Sequence, residues 1–136
     1  MAKPDKKEIL ANCKFAHTEE ELNSLAKEIR ELFPKGINLH TNTANRQPVR
    51  ELADALIRFE DYYQLEATRE EILAAAKKYT KDKEYDPYRQ CSKYFIIKNL
   101  TKEGRGITSA LATYIETARD SNTNDTIESN WIDALS

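Results

Sequence analysis

Twice in this chain a threonine is followed three residues later by a glutamate and then by a helix-period run of apolar residues. Thr18, Glu19, Glu20 and Glu21 lead into Leu22, Leu25, Ile29, Leu32 and Phe33; Thr68, Arg69, Glu70 and Glu71 lead into Ile72, Ala75, Ala76 and Tyr79. In such a capping box the hydroxyl accepts a backbone N–H of the first turn while the glutamate reaches back. Spacings of three and four place the apolar side chains on one helical face. Strand alternation is nearly absent, and only 3 Gly and 4 Pro interrupt 136 residues. The chain is therefore expected to be all-α.

Other segments show the same pattern. Residues 4–14 predict a first helix with Ile9, Leu10 and Cys13 on its apolar side. Pro34, Lys35 and Gly36 stop the second helix, and the polar residues 37–47 read as the main internal loop. Pro48 suits a helix first turn, with Val49, Leu52, Leu56, Phe59 and Tyr63 behind it. Asp86 and Pro87 predict a cap and first-turn proline launching Tyr88, Cys91, Phe95 and Ile96. After a break at residues 102–106, Thr108 or Ser109 is positioned to cap a last helix through Leu111, Tyr114, Ile115 and Ala118. The expected architecture is an irregular orthogonal bundle of five or six helices. The segments near 68–80 and 86–99 can form a helix-turn-helix-like pair, although their connector is long and charged for that motif.

Chemistry is sparse. His17 precedes a helix cap and His40 sits in the polar loop; neither has the context of a general base. Gly36, Gly104 and Gly106 make no phosphate-cradling loop. Glutamates 19–21 and 70–71 lie in helix first turns, where the macrodipole favours them. Cys13 and Cys91 show no CxxC spacing and read as reduced thiols packed as small hydrophobes. Asn99 and Asn124 begin glycosylation acceptor patterns, which lack a secretory context here. The expectation is a cytoplasmic protein that is not an enzyme, with no cofactor, no metal and no membrane segment.

Charge divides the chain at about residue 120. Residues 120–136 hold Asp120, Asp125, Glu128 and Asp133 without Lys or Arg, whereas the whole chain is only −2. This polar spacer runs into Trp131, the only Trp, with Ile132 and Leu135. If that end is helical, the three apolar residues share a face, the geometry of a helix laid into a partner's groove. Glu128 and Asp133 supply rim charge. The alternative is a last turn docked on the chain's own bundle. The spacer 120–128, with one Ile, has too little apolar area to offset the backbone entropy of ordering it and is expected to be mobile. The chain thus reads as a helical domain over 1–119 and an acidic tail over 120–136.

Residues 77–105 form the opposite pole, with nine Lys and Arg against four Asp and Glu. Interleaved with Tyr79, Tyr85, Tyr88 and Tyr94, they suggest a site for DNA or RNA, with Lys77, Lys78, Arg89 and Lys93 on phosphates. The same residues also make an ordinary amphipathic surface, the Tyr rings completing the apolar stripe and the Lys residues solvated.

Two pieces carry a resemblance. One is Glu70, Glu71, Ile72 and Leu73 running through Lys77, Lys78 and Tyr79 to Tyr88, Arg89, Cys91, Tyr94 and Phe95; the other is Leu111, Tyr114 and Ile115 followed by the acidic spacer and Trp131. This layout resembles small helical accessory proteins of tailed phages that sit beside replication and late-transcription machinery. Its end is similar to the tails by which T-even-type late-transcription coactivators grip a sliding clamp. The resemblance implies a non-enzymatic adaptor whose tail binds a sliding clamp or RNA polymerase. A direct nucleic-acid-binding protein and a virion or assembly component are the alternatives.

Overall fold

The computed structural model describes residues 6–99 and 106–120. It is predominantly helical. In chain order the elements are α1 (Lys6–Asn12), α2 (Glu19–Leu32), β1 (Ile37–Asn38), β2 (Thr43–Ala44), α3 (Val49–Tyr63), α4 (Arg69–Asp82), α5 (Ser92–Ile96), β3 (Lys98–Asn99) and β4 (Ile107–Thr108). A further helix, α6, covers residues 110–120. The strands form two antiparallel ribbons, β1–β2 and β3–β4.

Of the two expected capping boxes, the one at Thr68 closes fully and the one at Thr18 by its hydroxyl arm alone. At Thr68 both arms are present: its hydroxyl accepts from Glu71 N at 3.2 Å, and Thr68 N donates to Glu71 Oε1 at 3.2 Å. At Thr18 the hydroxyl accepts from Glu21 N at 3.1 Å, but the returning carboxylate takes the N–H of His17 instead, at 2.8 Å. Behind these caps Leu22, Leu25, Ile29, Ile72 and Ala76 are fully buried. Each such large aliphatic side chain contributes about 1.5–3 kcal/mol through burial.

Helix α2 packs against α3 and α4, while α1 and α5 both pack on α3. The core joins Leu52, Leu56 and Phe59 of α3 with Leu111 and Ile115 of α6. Within it the rings of Phe33, Tyr79 and Phe95 meet at centroid separations of 4.8–6.2 Å. Cys13 and Cys91 are buried and free, and burial pushes both thiols up, away from the reactive thiolate.

Two expectations need correction. Residues 37–47 are not simply a loop. Gly36 at φ +90° opens the β1–β2 ribbon, which pairs Ile37 with Ala44 and Asn38 with Thr43. The Asn38 side chain accepts from His40 N at 2.9 Å, and Asn42 takes φ +54° to close the turn. The residues just after the ribbon hold the fold together. Asn45 is buried and its carbonyl accepts from Ser92 N at 2.9 Å. Gln47 Oε1 accepts from Ser92 Oγ at 2.7 Å and from Lys93 N at 2.8 Å.

That Gln47 contact explains the second correction. The helix expected from Asp86 and Pro87 begins only at Ser92. Asp86 Oδ1 does accept from Tyr88 N at 2.8 Å, and Arg89 N donates to Asp86 O at 3.2 Å, so the proline cap builds one turn. Gln90 N then leaves for the Tyr79 hydroxyl at 2.7 Å. The chain restarts as α5, with an amide of its first turn met by Gln47 from a distant segment. With five residues, α5 is too short to be the second helix of a helix-turn-helix. At the other end, Ser109 is the working cap: its Oγ accepts from Ala112 N at 3.0 Å and donates to Ile96 O at 2.5 Å.

Candidate interaction surface

Buried aromatics belong to the core, so the exposed ones locate the surface of interest. Tyr79 is buried, and it serves as a hydrogen-bond acceptor for Gln90 rather than a stacking platform. Tyr85 is 91 % exposed, Tyr88 70 % and Tyr94 41 %. On the neighbouring ribbon Ile37 and Leu39 are also exposed.

The β1–β2 tip and the segment before α5 are held against one another. Asn38 Nδ2 donates to Pro87 O at 3.1 Å, and the His40 ring meets Tyr88 edge-on with centroids 4.7 Å apart. Behind this pair lies a cleft of about 340 Å³ lined by Thr41, Thr43, Tyr88, Gln90, Tyr94 and Lys98. The Lys98 ammonium sits 5.2 Å from the centre of the Tyr94 ring, within cation–π range. The result is an open aromatic face with hydroxyl, amide and ammonium groups at its edges.

The four basic residues singled out from sequence fall in separate surroundings. Lys77 and Lys78 are exposed on α4, and Lys78 lines a groove with Tyr114 and Ala118 of α6. Arg89 borders the aromatic cleft but is committed to the fold, donating to Lys83 O at 3.2 Å, Glu84 O at 3.0 Å and Asn45 Oδ1 at 3.4 Å. Lys93 reaches Glu51 at 3.9 Å. Of these, Arg89 alone borders the cleft with Tyr88. Sequence reasoning gave no role to His40 or Leu39, because nothing local signalled that residues 37–44 fold into a ribbon beside Tyr88.

Trp131, Ile132, Leu135, Asp133 and Glu128 lie outside the described residues. His17 is exposed at the α2 cap, where its backbone N–H donates to Glu21 Oε2, and the His40 ring packs on Tyr88. Among the described residues no group of three or more His, Cys, Asp or Glu is arranged to hold a metal ion. Also among them, no helix is long and apolar enough to cross a membrane. Comparison with known proteins finds no matching family model, no matching curated protein and no matching solved structure.

Proposed function

We propose that the chain is a non-enzymatic helical adaptor of a nucleic-acid machine, working in the cytoplasm of a phage-like replication or late-transcription system. Residues 120–136 dock on one protein partner, such as a sliding clamp or RNA polymerase, and the helical body holds a second component. The observation that carries this reading is the division of the chain at residue 120: an acidic, lysine-free spacer ends in Trp131, Ile132 and Leu135. Tryptophan buries a large area at low entropy cost and dominates binding hot spots. The resemblance to late-transcription coactivators suggests the clamp.

The test is titration of the full chain with a purified sliding clamp and, separately, with RNA polymerase. Trp131→Ala or Leu135→Ala should cost about 2–4 kcal/mol of binding. If deletion of residues 121–136 leaves every interaction in place, the adaptor reading fails.

A specific observation favours a second reading, single-stranded DNA or RNA on the body. Tyr88 and Tyr94 expose their rings beside Lys98 and the His40 edge, which are the ingredients of a base-stacking platform with a cationic rim. An anisotropy titration with an oligonucleotide at low salt decides it. Binding weakened by added salt and by Tyr88→Ala or Lys98→Ala supports this reading, and no binding at low salt ends it.

A further inference from the structure

Six large hydrophobic side chains are exposed among the described residues. Five of them, Ile37, Leu39, Tyr85, Tyr88 and Tyr94, belong to two segments pinned to each other. Exposed apolar residues scattered singly are ordinary, whereas a concentration of them marks a contact surface. Leu39 is the extreme case, 92 % exposed in the turn of the β1–β2 ribbon. That turn is not slack. Asn38 Oδ1 accepts from His40 N at 2.9 Å and from Thr41 N at 3.3 Å, and Thr43 Oγ1 donates to Thr41 O at 3.1 Å. Asn38 Nδ2 fastens the ribbon to Pro87 O. A loose loop would let Leu39 fold onto Tyr88. This one holds it out in water, placed for a partner at little further ordering cost.

The chemistry beside the tip selects the partner. The described residues lining the cleft behind His40 and Tyr88 include two cations, Arg89 and Lys98, and no carboxylate. Asp86, between Tyr85 and Tyr88 in sequence, is paired with Lys83 at 3.5 Å. Lys98 holds its ammonium 5.2 Å from the Tyr94 ring centre, so charge and π surface are presented together. Aromatic rings stack on any base and cations follow the phosphates, so an unpaired strand meets both. An apolar side chain next to such a platform has another use, because apolar wedges enter between bases and part them.

We infer, on the reading of the body as a single-strand binder, that the β1–β2 tip is a wedge that parts neighbouring bases of an unpaired nucleic-acid strand. Leu39 enters the base step. Tyr88 and Tyr94 offer ring faces to the bases it separates, in place of the stacking they lose. Lys98 meets the backbone, in the field of Arg89. The strand is held open and not as a stacked single helix.

The experiment titrates the full chain into a short thymine oligonucleotide carrying two adjacent adenine analogues whose fluorescence is quenched by stacking. It is run with the strand as DNA and as RNA. Anisotropy of an end label reads binding, and the emission of the analogues reads unstacking. Emission should rise several-fold as the complex forms. Leu39→Ala should remove most of that rise while leaving the affinity within a few-fold, because Tyr88, Tyr94 and Lys98 remain. Leu39 is exposed, so its truncation does not threaten the fold. Tyr88→Ala should lower the affinity itself. A Leu39-dependent rise with either strand supports the wedge and identifies the sugar it accepts. Binding without a rise, or a rise that survives Leu39→Ala, overturns the wedge and leaves the single-strand reading standing. No binding at low salt removes both. A peptide of residues 120–136 that binds this face when the oligonucleotide does not overturns the wedge and assigns the face to acidic protein segments.

Discussion

Single side chains decide where helices begin in this protein, and Gln47 shows how far such a decision can reach. Its Oε1 accepts two hydrogen bonds at the start of α5, from a hydroxyl and an amide that are otherwise left without that acceptor. Ser92 itself is fully buried, so water cannot easily replace the lost partner. Gln47→Ala is expected to destabilise the fold by about 1–3 kcal/mol, read as a lower urea midpoint at unchanged slope. Gln47→Glu keeps an acceptor for these two donors but gives up the Nε2 donor to Ala44 O at 2.7 Å, so it too should destabilise. An Ala variant as stable as the parent would mean that α5 starts on its own sequence. The helices at Thr18 and Thr68 do start that way, from residues three apart. This contrast explains what was legible beforehand. Local caps and apolar periodicity are written within a few residues, and α2, α3 and α4 arise from them; a cap supplied from 45 residues away leaves no local trace.

At the scale of elements, a charged pair helps tie α6 to α4, beside the hydrogen bond from the Tyr114 hydroxyl to Asp82 Oδ2 at 3.1 Å. Arg119 donates to Glu71 at 2.7 and 3.1 Å and to Leu65 O at 3.2 Å, closing the end of α6 over the start of α4. The Arg119 hydrogen bond, with smaller help from the cap at Thr68, holds the Glu71 carboxyl below its usual value. A depressed carboxylate contributes stability that is present above the unfolded-state value of about 4.3 and is lost as pH falls through the folded value. Glu71→Gln should therefore lower stability at pH 7 and bring the variant level with the parent at pH well below about 4.3. Because both side chains are partly exposed, the difference at pH 7 should be small, and it should shrink in high salt. Equal stability of the two proteins across the whole range would remove Arg119 as a staple. The aromatic face belongs to this scale as well. Its tyrosines were visible in the sequence, but their neighbours were not, since the ribbon that brings His40 to Tyr88 depends on Asn38 reaching Pro87 across 49 residues.

Across the whole molecule, the body carries an open aromatic face, and the acidic residues 120–136 carry the strongest sequence sign of a binding motif. The central claim is that Trp131 belongs to a partner's pocket and not to the chain's own core. Trp131 is the sole Trp in the protein, so its emission reports on nothing else. The most direct test is the fluorescence spectrum of the full, isolated chain, with acrylamide quenching. The adaptor account predicts emission at the wavelength of solvated indole and free access to the quencher. A blue-shifted, quencher-protected Trp131 in the isolated monomer would contradict it, because the indole would then be packed on the bundle that was supposed only to carry it.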